Sequence, residues 1–419
     1  MTNSYLKRLL DFFNKTSIKN IGYITIGQGI SQAISLIGVL YIPKLLGPEG
    51  YGNYQTVLSY VSVFTVFSLT GLNKVVLRNG SRKLSKLSNE IESIIGIRHL
   101  FTFFAALIAV LAAFYLKYDS EIILYISIYV FWLWIRTIEG TVNLIFQAHQ
   151  ELIYFSVFSV IKSILLASSL ITVLLLGRGI IELLMIDLLV SAFVVFLSYN
   201  KSRNFTSFKF FSPIKLDMET LKQGLVFSLI SFFNVMGNKI DIVMISLIGT
   251  PMEVGLYALA NTVIRKGLLA SKAISTSIFP IYAKQAVKSI NRAVLYKHSL
   301  LIFIPSAIVV FVVFIGSSWF VNNIIGIEFS YSADIMKVLS FYLLFHYLSL
   351  PYDLALQATF SEKTLVKIKA SLAILNIGAN YVLYERFGIM GIAISSILVK
   401  VANLVLVIIK TRLTIPYQK

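Results

Sequence analysis

The chain has 419 residues, of which 57% are hydrophobic and only 13% are charged. This composition leaves too little polar surface to cover a soluble globule, so it excludes a soluble enzyme or a soluble binding domain. The absence of cysteine excludes disulfides, thiol catalysis and cysteine-ligated metal.

Long apolar segments follow one another along the whole chain. A helix needs roughly 20 residues to cross the hydrocarbon core of a bilayer, and twelve segments approach or exceed that length. In chain order the predicted spans are residues 21–46, 54–72, 94–116, 121–147, 153–176, 180–199, 223–249, 254–278, 298–321, 334–358, 364–384 and 388–410. The predicted fold class is therefore all-α, a polytopic membrane protein with twelve transmembrane helices. The first apolar stretch is as long as the others, so we expect it to be a retained span.

Short matches recur at a nearly constant offset of about 210 residues. The segment from Asn143 to Ala148 returns as the segment from Asp353 to Ala358. Other matched pairs are Ile161-Lys162 with Ile368-Lys369, Gly47 with Gly249, and Gly52 with Gly255. An apolar chain built twice is typical of transporters with a site between the halves. We predict an N-terminal lobe over 1–205, a cytoplasmic linker over 206–222 and a C-terminal lobe over 223–419, each lobe with six helices.

The basic residues that give the net charge of +18 cluster in alternate loops. By the positive-inside rule, both termini and the basic loops are cytoplasmic. The charge therefore reflects membrane topology, and we expect no nucleic-acid partner. In the linker, phenylalanines alternate with lysines, as at Phe208, Lys209 and Phe210, which predicts a segment that lies along the inner leaflet.

Polar residues inside the N-terminal spans form stripes. A charged group at mid-bilayer is costly, so it normally faces a bundle interior or a wet cavity. Residues three or four apart share one helix face; on span four these are Trp132, Arg136, Glu139 and Asn143, and on span one they include Gln28 and Gln32. We expect these residues to line a cavity. Arg136 and Glu139 could instead be a structural ion pair.

The C-terminal spans carry matching stripes. The candidate cavity residues are Asn234, Asn238 and Asp241 on span seven, Asn261, Arg265 and Lys272 on span eight, His346 and Asp353 on span ten, and Lys400 on span twelve. His346 could be a hydrogen-bonded core histidine, or it could handle protons. Lys272 and Lys162 lie nearer the cytoplasmic side, where they could reach the interface.

The chemistry of these stripes suits a glycan with an anionic group. Amides and hydroxyls pair with sugar hydroxyls without leaving a charge unpaired, and Trp132, Tyr257 and Tyr342 could offer flat faces to sugar rings. Arginine binds phosphate through paired hydrogen bonds. Motifs of phosphate-binding loops, zinc hydrolases and serine hydrolases are missing from the sequence, so we expect no catalytic residues, no metal and no cofactor.

The turn Leu45-Leu-Gly-Pro-Glu-Gly-Tyr-Gly-Asn-Tyr54 resembles the outer turn of bacterial polysaccharide-biosynthesis export proteins. So do Gly71-Leu72 before the basic tract, Asp241 to Gly249, Val254 to Ala260, and Ile278-Phe-Pro280. These proteins are flippases of lipid-linked O-antigen and capsule repeat units within the multidrug/oligosaccharidyl-lipid/polysaccharide exporter superfamily.

The resemblance implies two six-helix lobes around a central cavity, related by a pseudo-two-fold axis along the membrane normal. It further implies that undecaprenyl-pyrophosphate-linked oligosaccharide moves from the inner to the outer leaflet of the bacterial cytoplasmic membrane by alternating access. Its other implied partners are membrane lipids, a polysaccharide polymerase and chain-length proteins. The coupling ion, H⁺ or Na⁺, is left open. A cation-coupled multidrug or organic-ion antiporter is the alternative, followed by a membrane-embedded glycan-assembly enzyme.

The charge pattern makes a topology prediction. Reporter fusions at Lys83, Lys209 and Lys288 should be cytoplasmic, because these residues lie in basic loops. Fusions at Gly179 and Pro251 should be exterior. A cytoplasmic reporter at Pro251 would contradict the twelve-span prediction, because this turn starts the helix hairpin of the second half.

Overall fold

A computed structural model of the protein describes residues 15–81, 83–210, 212, 218–268, 271, 274–275, 278, 282, 292–359 and 362–414. Within these ranges the regular structure is helical and includes no strand. This confirms the all-α fold class predicted from the apolar segments. In lipid, a helix satisfies its own backbone hydrogen bonds, which is why apolar sequences of this length fold this way.

The helices are named here in chain order. They are α1 (Lys15–Phe64), α2 (Leu72–Gly80), α3 (Leu87–Tyr115), α4 (Ser120–Tyr129), α5 (Trp132–Ala148), α6 (Leu152–Leu175), α7 (Ile180–Ser202), α8 (Met218–Ile248), α9 (Pro251–Gly267), α10 (Arg292–Phe320), α11 (Ser330–Thr359), α12 (Glu362–Phe387) and α13 (Ile389–Thr414). Each predicted span other than span four lies mainly on one of these helices, and much of span eight after residue 268 lies outside the described residues.

Two features explain how spans map onto helices. Helix α1 carries spans one and two, separated by a kink at Gly47, where φ is +70°; glycine tolerates this left-handed backbone. Span four is divided between α4 and α5.

Among the described residues, nine helical segments are long and apolar enough to cross a membrane. The segment Gly22–Ser68 accounts for two spans, and the spans on α9 and α12 are not among the nine.

The turn between α8 and α9 is short, as predicted. Thr250 caps α9: its hydroxyl accepts from the backbone N–H of Glu253 at 3.3 Å, and the Glu253 carboxylate accepts from the Thr250 N–H at 2.8 Å. Pro251 occupies the first turn, where its missing N–H is not needed. This capping box fixes the point at which the chain reverses.

The chain forms two compact units. Unit 1 contains residues 1–38, 67–111 and 127–225, and unit 2 contains residues 39–66, 112–126 and 226–419. Unit 1 therefore holds most of the first repeat. Unit 2 holds the second repeat together with the ends of spans one to four that are predicted to face outward.

The linker between the repeats packs into unit 1. Phe208 is buried in a core cluster that includes Leu72, Ile91 and Ile145. The N–H of Lys209 donates to Glu92 at 3.0 Å, and the Ser88 hydroxyl donates to the Ser207 carbonyl at 2.6 Å. The aromatic side chain of Phe208 thus covers the end of α3. That the linker lies along the inner leaflet stays a prediction. Phe211 lies outside the described residues.

A close helix crossing joins the two repeats inside unit 2. A Cβ on Gly52 would overlap the carbonyl oxygen of Pro251, and a Cβ on Gly255 would overlap the carbonyl oxygen of Pro48. The two glycines, like the two prolines, are 203 residues apart. The contact is therefore reciprocal, as expected for repeats related by a pseudo-two-fold axis. Only residues without a side chain let two helix backbones approach this closely.

Side-chain contacts next to this crossing also connect the two repeats within unit 2. The hydroxyls of Tyr118 and Ser246 are 2.7 Å apart, and the rings of Tyr51 and Phe329 meet edge to face with centroids 6.4 Å apart. Burial raises the pKa of Tyr118, which lies in the turn before α4, to about 12. The ends of the first-repeat helices in unit 2 are thus held to the second repeat by backbone contact and by tyrosines.

We predict that Gly52→Ala lowers the stability of the protein by about 1–3 kcal/mol, because the added methyl group must displace the Pro251 carbonyl. The measurement is the thermal unfolding midpoint of purified protein in detergent, followed by circular dichroism. Gly316→Ala is the matched control, since a Cβ there meets no atom within 4 Å. Equal midpoints for the two variants would contradict the tight crossing.

Candidate functional site

Unit 2 contains a cavity of about 270 Å³ between α8, α9, α11, α12 and α13. Its wall includes seven residues predicted from the sequence: Asn234, Asn238, Asp241, Asn261, Arg265, His346 and Lys400. It also includes Tyr342, Lys369, Asn376, Ser396 and Asn403. The polar stripes of spans seven, eight, ten and twelve therefore converge.

Three cationic side chains line this cavity. Arg265 donates to the Asn238 side chain at 2.5 Å and to the Gly237 carbonyl at 3.4 Å. Lys369 donates to the Asn234 side chain at 2.8 Å. Lys400 lies 3.9 Å from Asp353. These amide partners hold Arg265 and Lys369 in position. Among the described residues, the wall contains three cationic side chains and one carboxylate, that of Asp241.

Asp241 is the carboxylate in the cavity wall, and it is saturated by neutral donors. Tyr257 and Ser396 each donate to its Oδ2 at 2.8 Å, and Asn380 donates to its Oδ1 at 2.9 Å. Only 4% of Asp241 is exposed. A carboxylate that accepts three such bonds is compensated without a cation, so Asp241 ties α8 to α9, α12 and α13.

Two polar groups of the wall have unused hydrogen-bonding capacity. Both ring nitrogens of His346, and Nε of Arg265, are buried without a hydrogen-bond partner among the described residues. The imidazole stacks on Tyr342, with ring centroids 6.1 Å apart. Because buried polar groups are normally paired, this side of the cavity is suited to a polar ligand. The interpretation of His346 as a hydrogen-bonded core residue does not fit.

Asp353 lies behind the wall. It accepts from Asn403 at 3.2 Å and pairs with Lys400 at 3.9 Å, and both of these residues line the cavity. It therefore positions wall residues and is not among those that line it. Lys272 lies outside the described residues.

The span-four stripe forms a separate cluster in unit 1. Arg136 pairs with Glu139 at 2.8 Å, and Lys162 of α6 pairs with the same carboxylate at 3.3 Å. The Arg136 guanidinium lies over the Trp132 ring, 5.4 Å from its centroid. Lys162 thus contacts a carboxylate, and the prediction that it could reach the interface is wrong. The Arg136 side chain is 48% exposed, which leaves part of its charge available beyond the ion pair.

The other N-terminal candidates make few strong contacts. Gln28 donates to Ser159 at 3.3 Å, Gln32 accepts from Ser35 at 3.5 Å, and Asn143 is half-buried on α5. These residues and the Arg136 cluster belong to unit 1, whereas the cavity belongs to unit 2. That all of them share one lumen stays a prediction.

The positions of two residues, the aromatic Tyr257 and the basic Lys369, differ from what the sequence predicted. Tyr257 is fully buried and donates to Asp241, so it offers no face to a sugar ring. Lys369 was not singled out from the sequence, although it lines the cavity. The repeat contained the signal: Ile161-Lys162 recurs as Ile368-Lys369, and both lysines contact polar groups inside their units.

Arg98 is a further residue that sequence reasoning missed. It is fully buried in unit 1 and donates to Asn73 at 2.7 Å, to Thr141 at 2.8 Å and to the Ser68 carbonyl at 3.3 Å. Its position near the predicted start of span three is typical of an arginine that reaches the interface. Helix α3 begins earlier, at Leu87, and this places Arg98 inside the protein.

Comparison with known families finds one that covers most of the chain. The sequence profile described as "Polysaccharide biosynthesis protein" matches residues 17–286. This is more than half of the 419 residues. The chain belongs to the polysaccharide biosynthesis protein family. A comparison with curated proteins finds no match.

Solved structures with the same fold include transporters and a flippase. A structure titled "Lipid II flippase MurJ, inward closed conformation" has a TM-score of 0.76 at 12% identity, over 94% of this chain and 87% of that chain. An inward-facing multidrug resistance MATE family transporter of the MOP superfamily has a TM-score of 0.70 at 12% identity, over 94% and 98%. A MOP superfamily transporter from Pyrococcus furiosus Vc1 has a TM-score of 0.64 at 13% identity, over 95% and 96%.

At these identities the similarity concerns the fold. This member of the polysaccharide biosynthesis protein family has the fold of MOP superfamily transporters and flippases and is a multi-pass membrane protein. The resemblance inferred from the outer turn and the span-seven motif is thereby confirmed.

We predict that Asp241→Asn lowers stability by about 1–3 kcal/mol, because the new amide cannot accept from Tyr257, Ser396 and Asn380 at once. Asp353→Asn should change stability much less, since the Asp353 side chain is 28% exposed and makes weaker contacts. Thermal unfolding in detergent measures both. An unchanged midpoint for Asp241→Asn would show that the three hydrogen bonds contribute little.

Proposed function

We propose that the protein is a flippase that carries undecaprenyl-pyrophosphate-linked oligosaccharide repeat units from the inner to the outer leaflet of the bacterial cytoplasmic membrane. The observation that carries this proposal is the charge of the unit 2 cavity. Arg265, Lys369 and Lys400 lie in its wall, against the single carboxylate of Asp241.

The charge of the wall suits a diphosphate. Moving a diphosphate out of water is costly unless cations replace its hydration. Arg265 keeps its Nε without a hydrogen-bond partner among the described residues, and both nitrogens of His346 are similarly available. Guanidinium groups bind phosphate oxygens with charge-assisted hydrogen bonds, which are the stronger kind.

The uncharged part of the wall suits a glycan. Asn234, Asn238, Asn261, Asn376 and Asn403 line the cavity. Each amide offers both donors and an acceptor, the pattern that sugar hydroxyls require. Tyr342 adds an aromatic face next to His346. The wall therefore offers groups for both parts of a lipid-linked sugar phosphate.

The same charge disfavours the antiporter alternative. An organic cation that entered this cavity would meet Arg265, Lys369 and Lys400 against the carboxylates of Asp241 and Asp353. The excess of positive charge would repel it, and this repulsion is stronger in a low dielectric. A glycan-assembly enzyme is disfavoured because Asp241, the acidic residue of the wall, is committed to three structural hydrogen bonds. In the proposed function no covalent bond changes, and the substrate acts by differential affinity for the inward and outward states.

The proposed setting follows from the predicted topology. Both termini are cytoplasmic, the lipid tail of the substrate remains in the bilayer, and membrane lipids surround the spans. A polysaccharide polymerase and chain-length proteins would use the repeat units delivered to the outer leaflet. Glycosyltransferase genes beside the gene for this protein would support the assignment.

Lys369→Ala tests the proposal. We expect export of surface polysaccharide to fall by roughly ten- to a hundredfold, because one charge-assisted contact contributes about 1.5–3 kcal/mol. Export is measured in a strain that lacks the chromosomal gene, with the variant's membrane level checked by immunoblotting. Lys367→Ala is the matched control, since Lys367 is exposed on the same helix. Arg265→Ala should behave like Lys369→Ala.

Three outcomes would count against the flippase. Normal export with Lys369→Ala and Arg265→Ala would show that the cations of the cavity are not needed for export. Normal export with reduced drug resistance would favour the antiporter. Accumulation of lipid carriers with an incomplete sugar unit, in place of complete repeat units on the cytoplasmic leaflet, would favour a glycan-assembly enzyme.

A further inference from the structure

Span two is interrupted at its inner end by a short segment that is not α-helical. Helix α1 ends at Phe64 and α2 begins at Leu72. Between them, Thr65–Ser68 form a turn of 3₁₀ helix, and Leu69 has a φ of +50°. A residue with a side chain disfavours this left-handed backbone, and a 3₁₀ stretch within a helix often marks a hinge.

The interruption coincides with one of the five points at which the chain passes between the units. Residues 39–66 belong to unit 2, and residues 67–111 belong to unit 1. The other four passages lie inside α1, α3, α4 and α8, where the backbone is α-helical. Hinges are a few loop or element-terminal residues that absorb changes in φ and ψ. Among the passages that the structure describes, this one alone offers such residues.

The inner side of the interruption is fixed in unit 1. Leu69, Leu72 and Val76 are buried in the core cluster that also contains Ile91 and Ile145. Burial of the Leu69 side chain offsets the cost of its backbone conformation, since strained residues persist only where their surroundings hold them. The core therefore keeps α2 in place and keeps the helix interrupted.

Arg98 of α3 bonds to both sides of the interruption. Its Nε donates to the Ser68 carbonyl at 3.3 Å, and its Nη1 donates to Oδ1 of Asn73 on α2 at 2.7 Å. Nη1 also donates to Thr141 of α5 at 2.8 Å. The last carbonyls of a helix lack intrahelical donors, and Arg98 supplies one. Because the guanidinium is planar and rigid, these bonds fix the angle between the two sides.

Unused hydrogen-bonding groups lie at the same place. Nη2 of Arg98 and the hydroxyl of Ser68 are buried without a partner among the described residues. Buried polar groups are normally paired. These two groups can therefore take up partners in a second arrangement of the interruption, at little further cost in lost hydrogen bonds.

We propose that residues 65–71 form a hinge in span two, and that Arg98 is the positioning residue that holds this hinge at the observed angle. When the hinge turns, the Ser68 carbonyl changes direction, and Nη2 of Arg98 can replace Nε as its donor. The inner side stays anchored through Asn73 and the core. The hinge concerns the movement between states, so it goes beyond the flippase assignment and applies to any substrate.

Distances between spin labels on the two sides of the interruption test the hinge. The chain has no cysteine, so Glu49→Cys and Ser81→Cys place labels at exposed positions on α1 and just after α2. Double electron–electron resonance gives the distance distribution in purified full-length protein in detergent without substrate. Arg98→Ala should broaden this distribution severalfold, because the Ser68 carbonyl and the Asn73 side chain lose their common donor.

Two controls separate the hinge from a general loss of structure. Labels at Ile181→Cys and Asn200→Cys, both exposed on the continuous helix α7 of unit 1, should give the same distribution with and without Arg98→Ala. Arg178→Ala removes an exposed arginine from the same unit. It should leave the distribution across the interruption unchanged.

Asn73→Ala provides a second test in case Arg98→Ala does not fold. It removes only the acceptor on α2, so the distribution across the interruption should broaden, but less than in Arg98→Ala. An unchanged width in either variant would overturn the proposal. So would equal broadening on α7, which would make Arg98 a general structural residue. The readout needs no substrate, so its failure is distinct from a failure of the flippase assignment.

Discussion

A bilayer offers no hydrogen-bond partners to a polar group, and the structure of this protein follows from that constraint. The backbone satisfies itself in helices. Several buried charged side chains among the described residues pair with an opposite charge or bond to neutral groups. Asp241 accepts from three neutral donors, Glu139 pairs with two cations, and Arg98 is held by a carbonyl, an amide and a hydroxyl. The groups that this rule leaves without partners are therefore informative about function.

The charged side chains of the two units have different kinds of partners. In unit 1, Arg136 and Lys162 pair with the Glu139 carboxylate, whereas the buried Arg98 donates to neutral groups. In unit 2, Arg265 and Lys369 donate to asparagine side chains. Among the described residues, the cavity wall of unit 2 has more cations than carboxylates. This excess of cations is consistent with the anionic ligand proposed above.

Close backbone contact gives the second repeat its connection to the first. Gly52 and Gly255 approach Pro251 and Pro48 reciprocally, and no residue with a side chain fits at either position without displacing a backbone carbonyl. Such a contact has little flexibility, and the contacts of Tyr118 with Ser246 and of Tyr51 with Phe329 lie beside it. Backbone and side-chain contacts therefore act together at this junction.

The sequence alone predicted that the described spans are helical and which of their faces are polar, because apolar length and residue spacing depend only on local order. It also identified seven of the residues in the cavity wall, since a helix face can be deduced from spacing. It did not determine which stripes meet. Lys369 joins the cavity, Tyr257 is buried beneath it, Asp353 lies behind it and Phe208 packs into a core, because each outcome depends on neighbours distant in sequence. Only the tertiary structure decides which buried charges find partners.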